Sequence, residues 1–437
     1  MQELNNNYSR DKKATPLLGK YYLSVIVGLI FIIYTTSGYT GEKANFVSIG
    51  LCLFWLVVSC FINLRVFTSI FLKKKVVFFI LFLLFYLTTS LPTAGIYDTF
   101  KYIGTFIILF SPMFMYSYYE RLGNIRLLKI VVYSVYIVWF IFAVKALCFY
   151  YKNPGAARRL VANREAFGDI AIGGGYPLAI GSAILAVFLL DSLTNSFIKK
   201  KKFISYFVLA ILVIVVIETR STITVLGLIF GLLTSLIISF LGNKKGRIRI
   251  NYRFIFASSV LLIAIIIIFM NINHIGHLII EQTAGSNNAL YRRLYEVGIE
   301  LAYLGHEDGG SNYLWSRLSR LSDSFELFIS SPFIGNGYKY GYDFFSSKLL
   351  GIGNHSEWLD IMAVYGLIGG LPFLLIYYFA VKETQKYNNR TTMKTYVFAV
   401  IFLGLFNPMK SFQTHLIIFF VIPSSYILFK KSHDKEV

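Results

Sequence analysis

Residues 222–241 read TITVLGLIFGLLTSLIISFL, a run of twenty residues without a charged side chain. A helix of about 20 apolar residues is long enough to cross the hydrocarbon core of a bilayer. Similar apolar runs recur along the whole chain of 437 residues, which is 56% hydrophobic and only 15% charged. This composition predicts an all-α, polytopic membrane protein, and it excludes a soluble enzyme, a secreted disulfide scaffold and a disordered tail.

About twelve transmembrane helices are expected from these runs, and the first is expected to be an uncleaved anchor because no small-residue cleavage site follows it. The predicted organisation is a tail (1–18), spans 1–9 (19–272), a large outer loop (273–357), spans 10–12 (358–429) and a second tail (430–437). The predicted spans are 19–37, 46–64, 76–93, 101–118, 127–150, 171–190, 203–218, 222–241, 254–272, 358–380, 395–409 and 414–429.

The net charge of +20 falls on one side of this alternating topology, and the other side balances to zero. Basic clusters at 73–75, 199–202 and 244–253 are the clearest markers of the charged side. Basic residues near the ends of spans orient a protein with that side in the cytoplasm. Both termini are therefore predicted to be cytoplasmic, and the charge is interpreted as an orientation signal that also attracts anionic lipid rather than nucleic acid.

Several arginines are predicted on the outer side, where basic residues are disfavoured in short loops. Arg159 and Arg164 fall in the loop after span 5, Arg220 in the short turn between spans 7 and 8, and Arg317 in the large loop. Salt bridges to outer acidic residues could explain them, and so could an anionic ligand, because guanidinium binds phosphate in a bidentate manner. For Arg220, at the edge of the bilayer, the ligand is the favoured explanation.

The large outer loop is too long to lack structure, and it predicts a small helical domain over the outer ends of the spans. Segments 288–305 and 313–330 have the apolar spacing of helices, and Pro332, Gly335 and Gly337 end the second one. The apolar positions of the second segment are Leu318, Leu321, Phe325 and Phe328.

His355 stands just before span 10, in the sequence GIGNHSEWLD (351–360). A histidine at a helix start near the bilayer, with Glu357 and Asp360 close by, suits a proton acceptor. A capping or packing histidine fits the same residues, so the residues alone leave both roles open. The three cysteines all fall within spans and have no metal-ligand spacing, so neither a disulfide framework nor a metal site is expected.

Five short motifs together resemble the O-antigen ligase and bacterial polysaccharide polymerase family. They are TRS (219–221), SRL (316–318), SPFIGNG (331–337), HSEWL (355–359) and YGLIGGL (365–371). Each motif is weak alone, but their order, spacing and side of the membrane are similar to the family's pattern. The motifs cover about 215–375, and the topology extends the likeness over the whole chain.

Two positions depart from the family's usual pattern. Ser356 stands where the family usually has asparagine, and Arg220 follows Glu218-Thr219 rather than the commoner Thr/Gly-Ser. These departures leave the subfamily open.

The resemblance implies a C-type membrane glycosyltransferase on the outer face of the bacterial cytoplasmic membrane. Its donor would be a polyprenyl-pyrophosphate-linked oligosaccharide, and no metal, cofactor or nucleotide sugar would be needed. Implied partners are membrane lipids and the flippase and chain-length regulator of the same pathway, without nucleic acid. The implied site comprises His355 as general base, Arg220 and Arg317 as pyrophosphate ligands assisted by Arg159 or Arg164, and Glu357 and Asp360 as supporting residues.

Three functions are compatible with the sequence. A polymerase that joins repeat units of O-antigen or capsular polysaccharide is the leading hypothesis, and a ligase that transfers the finished glycan to a lipid-core acceptor is the near alternative. A transporter or flippase of lipid-linked sugar would require charged residues at mid-depth in several spans. The charges here cluster at the outer ends instead, and no inverted repeat is evident.

Overall fold

The computed structural model describes residues 18–37, 42–153, 175–194, 202–219, 222–240, 272–285, 291, 294–295, 298–299, 302, 313–337, 356–385 and 390–425. These residues form helices and no strand. The helices are α1 (Leu18–Thr36), α2 (Glu42–Ile62), α3 (Leu64–Ile70), α4 (Lys74–Arg121), α5 (Ile125–Lys152), α6 (Tyr176–Thr194), α7 (Lys202–Glu218), α8 (Thr222–Phe240), α9 (Ile272–Thr283), α10 (Tyr313–Ser330), α11 (Glu357–Gln385), α12 (Arg390–Phe406) and α13 (Phe412–Ser424).

The described helices are those of an integral membrane protein. On α1, Leu23, Ile26, Ile30 and Ile33 form an exposed apolar stripe, with exposed fractions between 45% and 54%. A large apolar surface of this kind fits lipid rather than water. Five segments are long and apolar enough to cross a membrane, namely Asn45–Ile62, Lys74–Pro92, Gly95–Arg121, Ile125–Lys152 and Glu357–Thr384. The shorter apolar helices are Tyr21–Thr36, Pro177–Leu190, Ser205–Glu218, Thr224–Ser235, Thr395–Phe406 and Phe412–Ser424.

The all-α prediction is confirmed for this part of the chain, whereas the count of about twelve spans stays a prediction. Span 9 (254–272) lies outside the described residues except for its last residue. The domain boundaries predicted above likewise stay predictions.

Helix α4 is a hairpin of two antiparallel arms. Gly95 has φ of 77°, a value that favours glycine, and the chain reverses there. The rings of Phe82 and Phe106 lie 5.0 Å apart, as do those of Phe79 and Phe110, so residues before and after Gly95 pair in reverse order. The two arms correspond to predicted spans 3 and 4.

Ion pairs hold one end of the bundle together, and this set of residues (Lys73, Lys75, Glu120 and Glu383) is named the ion-paired end. Lys73 pairs with Glu120 and Glu383, and Lys75 pairs with Glu383. All four residues lie in the predicted connections after spans 2, 4 and 10, which the alternating topology puts on the same side of the membrane. Since a partly buried charge is costly without its partner, these pairs fix the start and end of α4 to the end of α11.

Helix α11 also reverses direction, at Gly366 (φ 60°, ψ −163°). Residues 357–365 fold back along residues 367–385. Two contacts show this: the Ile361 carbonyl lies against Gly370, and the Trp358 ring lies 5.1 Å from the Tyr377 ring. Glu357–Thr384 is long and apolar enough to cross a membrane, but its helix is interrupted at Gly366, so the expected span over 358–380 is not one continuous helix. The physical reason is the backbone of Gly366, which adopts a conformation that a straight helix does not contain.

A polar pair lies within the aromatic core between α11 and α13. His415 donates from Nδ1 to the Ser411 carbonyl oxygen at 2.8 Å, so its Nε2 accepts from the Tyr377 hydroxyl at 3.0 Å. The rings of Phe110 and Phe419 pack against the same imidazole. His415 is therefore a core histidine with both nitrogens bonded.

Candidate functional site

Two of the sequence motifs interlock through their backbones, and the two segments involved, 332–337 and 363–368, are named the glycine junction. Leu367 N–H donates to the Pro332 carbonyl at 2.8 Å, and Ile368 N–H donates to the Phe333 carbonyl at 2.9 Å. Asn336 N–H donates in the opposite sense to the Ala363 carbonyl at 3.0 Å. The turn after α10 is thus fixed to the reversal of α11.

Glycine is required on both sides of this junction. Gly335 has φ of 78° and Gly366 has φ of 60°. A Cβ at Gly366 would lie 2.5 Å from the Gly335 nitrogen and would also meet the Phe333 carbonyl, and a Cβ at Gly335 would meet the Val364 carbonyl. The glycines of the SPFIGNG and YGLIGGL motifs therefore allow a close contact between two backbones.

The end of α10 is completed by side chains of the same turn. Asn336 donates from Nδ2 to the Leu327 carbonyl at 2.6 Å, and the Ser331 hydroxyl donates to the Gly335 carbonyl at 2.8 Å. The Asn336 bond satisfies a carbonyl group that the last turn of a helix leaves without an intrahelical partner, and the Ser331 bond closes the turn that follows. The prediction of a helix over 313–330 that ends before Pro332 is confirmed.

Helix α10 docks on α11 through a polar contact, while Leu327 and Phe328 pack against the hydrophobic core. The Ser324 hydroxyl donates to Asp360 Oδ1 at 2.9 Å, and Ser324 is 1% exposed. Phe325, another of the predicted apolar positions, is 51% exposed. The face bearing Ser324 packs on α11 and leaves Phe325 at the surface.

Arg317 lies on the same helix, seven residues before Ser324. Residues seven apart share a helix face. The structure describes the backbone of Arg317 within α10 and not its side chain.

Ser356 caps the start of α11. Leu359 N–H donates to the Ser356 hydroxyl oxygen at 3.2 Å, and the hydroxyl donates to the Gly404 carbonyl at 3.4 Å. Serine and asparagine are both favoured caps, so Ser356 performs the role that asparagine at this position can also perform. His355 directly precedes this cap in the sequence.

The first turn of α11 binds both α12 and the turn between α12 and α13, which comprises 407–411. Met409 N–H donates to Glu357 Oε2 at 2.8 Å, and Trp358 Nε1 donates to the Ile401 carbonyl at 2.9 Å. Glu357 is 1% exposed and Asp360 is 3% exposed. Both carboxylates thus hold neighbouring elements in place, Glu357 the 407–411 turn and Asp360 the helix α10.

The start of α8 lies beside the end of α12. Gly227 permits this approach, because a Cβ there would meet the Leu403 side chain, and the rings of Phe230 and Phe402 stack at 4.8 Å. Helix α7 ends at Glu218 and α8 begins at Thr222, so these two helix ends lie at the same end of the bundle as the 407–411 turn.

The predicted site residues divide into three groups. Glu357 and Asp360 are described, buried and hydrogen bonded. Only the backbone of Arg317 is described. The predictions that fall outside the described residues are His355, Arg220, Arg159 and Arg164.

Ser324 and the 407–411 turn, including Lys410, are not among the residues predicted from the sequence. Nothing in the pattern of α10 distinguishes Ser324 from other serines. Lys410 did carry a signal, because it is a basic residue in a short turn on the predicted outer side, where such residues are disfavoured.

An apolar groove lies between α5, α6 and α7, with a volume of about 310 Å³. Ile137 and Phe207 are 58% and 53% exposed, so the groove opens to the lipid-facing surface. The groove is lined by Tyr133, Tyr136, Ile137, Trp139, Phe140, Ala143, Leu185, Phe207, Val208, Ile211 and Leu212.

Among the described residues, no group of three or more His, Cys, Asp and Glu side chains could hold a metal ion.

Comparison with known proteins identifies one related family. Residues 206–374 match the family model described as O-antigen ligase. This region contains all five motifs in full, 219–221, 316–318, 331–337, 355–359 and 365–371, and the match supports the family that those motifs resemble. No curated protein matches the chain significantly.

Proposed function

We propose that this chain, as a member of the O-antigen ligase and polymerase family, is a polymerase of lipid-linked glycan repeat units. The match over 206–374 supports a glycan-ligating or polymerising membrane enzyme that acts on a lipid-linked glycan. The donor is a polyprenyl-pyrophosphate-linked oligosaccharide, and the site faces outward from the bacterial cytoplasmic membrane. Both termini lie in the cytoplasm, in keeping with the basic clusters that mark that side.

The reaction exchanges one glycosidic partner for another. A hydroxyl of the acceptor repeat unit loses its proton to His355 and bonds to the anomeric carbon of the donor, while the bond from that carbon to the diphosphate breaks. The electron pair leaves with the polyprenyl diphosphate. Arg220 and Arg317, assisted by Arg159 or Arg164, neutralise the charge that develops on this leaving group.

The glycine junction carries the proposal. It fixes the turn after α10 to the reversal of α11. Helix α10 bears Arg317, and the capped start of α11 follows His355 in the sequence. Groups that act together on one reacting centre need a rigid frame, and backbone hydrogen bonds between motifs supply one. Glu357 and Asp360 support that frame by binding the 407–411 turn and α10.

Purified protein incubated with a lipid-linked repeat unit alone tests the function. A ladder of products is the expected result, because each product remains a substrate for the next transfer. Transfer that occurs only after a lipid-core acceptor is added would replace the polymerase with a ligase, which the description of the matched family favours as the second candidate. Movement of the lipid-linked unit across a vesicle without any new bond would establish a transporter.

Replacing Arg220 with lysine tests how the diphosphate is bound. Lysine keeps the charge but loses the planar fork. Loss of one charge-assisted hydrogen bond costs about 1.5–3 kcal/mol, so we expect transfer to slow roughly ten- to hundredfold. Initial rates with a saturating acceptor measure the effect. Arg126→Lys is the control, since Arg126 is an exposed residue of the other end of the bundle; equal rates for Arg220→Lys and the control would assign Arg220 a point-charge or structural role.

The apolar groove is proposed as the binding site of the polyprenyl tail. Its wall includes Ile211 of α7, and that helix runs from the groove to Glu218, about 10 Å farther along the axis, two residues before Arg220. A tail in the groove would therefore lead to a diphosphate beside the α7–α8 connection. The lining offers almost no polar surface, as a hydrocarbon chain requires.

Filling this groove should affect long donors selectively. We expect Ile137→Trp to slow transfer from a long-chain polyprenyl donor while leaving a donor with a short prenyl chain nearly unaffected. Ile141→Trp is the matched control, because Ile141 is a similarly exposed residue on the same helix and does not line the groove. The ratio of rates with the two donors is the measurement, and an unchanged ratio for Ile137→Trp would place the tail elsewhere.

A further inference from the structure

Lys410 lies in the 407–411 turn, at the point where three segments meet. The amide of the preceding residue, Met409, is bonded to Glu357 at 2.8 Å, and the cap Ser356 is bonded to Gly404 near the end of α12. The start of α8 packs against the same end of α12. In sequence, His355 directly precedes the cap Ser356 and Arg220 lies two residues before the start of α8, so Lys410 lies at the end of the bundle where these two helices begin.

A buried carboxylate faces this turn. Glu357 is 1% exposed, and its Oε1 has no hydrogen-bond partner among the described residues. Lys410 is close enough for its charge to act on this carboxylate, while Asp360 adds a second negative charge nearby. A buried anion attracts a cation strongly because the surroundings screen it poorly. The charge of Lys410 therefore opposes the effect of burial, which disfavours the ionised form of Glu357.

We propose that Lys410 is a further binding residue for the diphosphate of the donor. The proposal rests on the proposed function, since it assumes a lipid diphosphate as the leaving group. An ammonium group serves as a mobile point charge that can follow a phosphate, whereas the guanidinium groups of Arg220 and Arg317 fix its orientation. Lys410 lies outside residues 206–374, which match the O-antigen ligase family model.

Charge balance for Glu357 is the competing explanation, and a double variant separates the two. If Lys410 only neutralises Glu357, removal of both charges in Lys410→Met/Glu357→Gln should restore binding. If Lys410 contacts the diphosphate, the double variant should remain as defective as Lys410→Met. Such a cycle isolates the coupling between two neighbouring residues.

The test uses the purified full chain and measures binding of farnesyl diphosphate, a short prenyl diphosphate, with farnesyl monophosphate as comparison. We expect Lys410→Met to weaken binding of the diphosphate about tenfold or more and Lys410→Arg to retain most of it. Lys382→Met is the control, because Lys382 is exposed near the ion-paired end, over the Tyr378 ring. The thermal unfolding temperature of each variant reports whether it folds.

The outcomes distinguish this inference from the proposed function. Unchanged binding by Lys410→Met, or binding restored in the double variant, overturns the role of Lys410 even if wild-type protein polymerises the glycan. Weakened binding that persists in the double variant supports it. If wild-type protein binds farnesyl diphosphate through Lys410 but transfers no glycan, the diphosphate site stands and the proposed function fails.

Discussion

Replacing His355 with alanine is expected to slow glycan transfer roughly 10²–10⁴-fold, the typical effect of removing a well-placed general base. The acceptor hydroxyl is a poor nucleophile until it loses its proton, and the proposed mechanism gives that proton to His355. Binding of the lipid diphosphate should change little, because the cations that bind it are other residues. Single-turnover rates with saturating donor, measured beside farnesyl diphosphate binding, separate the chemical step from binding.

A second histidine provides the matched control. His274→Ala should transfer glycan at the wild-type rate, since His274 is exposed on α9 and has no place in the proposed site. Normal-length polymer from His355→Ala would assign His355 to capping or packing, the alternative that its sequence context also allows. Loss of both transfer and folding in His355→Ala would also assign His355 to capping or packing. The unfolding temperature of the variant measures whether it folds.

Replacing Gly366 with alanine is expected to disrupt the site from a distance. Alanine at this backbone conformation carries about 1–3 kcal/mol of strain, and its Cβ would also press against the Phe333 carbonyl and the Gly335 nitrogen. Relief of that contact requires the glycine junction to open, which frees the turn after α10. We expect a lower thermal unfolding temperature in detergent and loss of most transfer activity.

Gly50→Ala is the control for this substitution. Gly50 lies within α2 and has open space around an added Cβ, so alanine there should be neutral or slightly stabilising. Equal unfolding temperatures and activities for the two variants would mean that the junction does not support the site.

Much of the helical framework could be predicted from the sequence, because hydrophobic runs and charge clusters are signals that extend over many residues. The boundaries of α10 follow from apolar spacing and from Pro332, and the grouping of Lys73, Glu120 and Glu383 on one side follows from the alternation of spans. These features depend on repeated, local signals. A single glycine carries no comparable signal.

The reversal at Gly366 shows why other features could not be predicted. A glycine within an apolar run is compatible with close packing of straight helices and equally with a positive φ, and the sequence does not distinguish them. The hydrogen bond between Ser324 and Asp360 joins residues 36 positions apart, so no local sequence pattern predicts it. Lys410 could have been identified, since the argument applied to the outer arginines applies to it as well.

The diphosphate of the donor provides the most direct test of the central claim. Purified protein in vesicles would be supplied with a lipid-linked repeat unit, and released polyprenyl diphosphate would be counted against new glycosidic bonds. About one molecule of polyprenyl diphosphate for each new bond is the expected result, with no nucleotide sugar present. New bonds without release of the diphosphate lipid, or passage of the intact lipid-linked unit across the vesicle with no new bond, would contradict it.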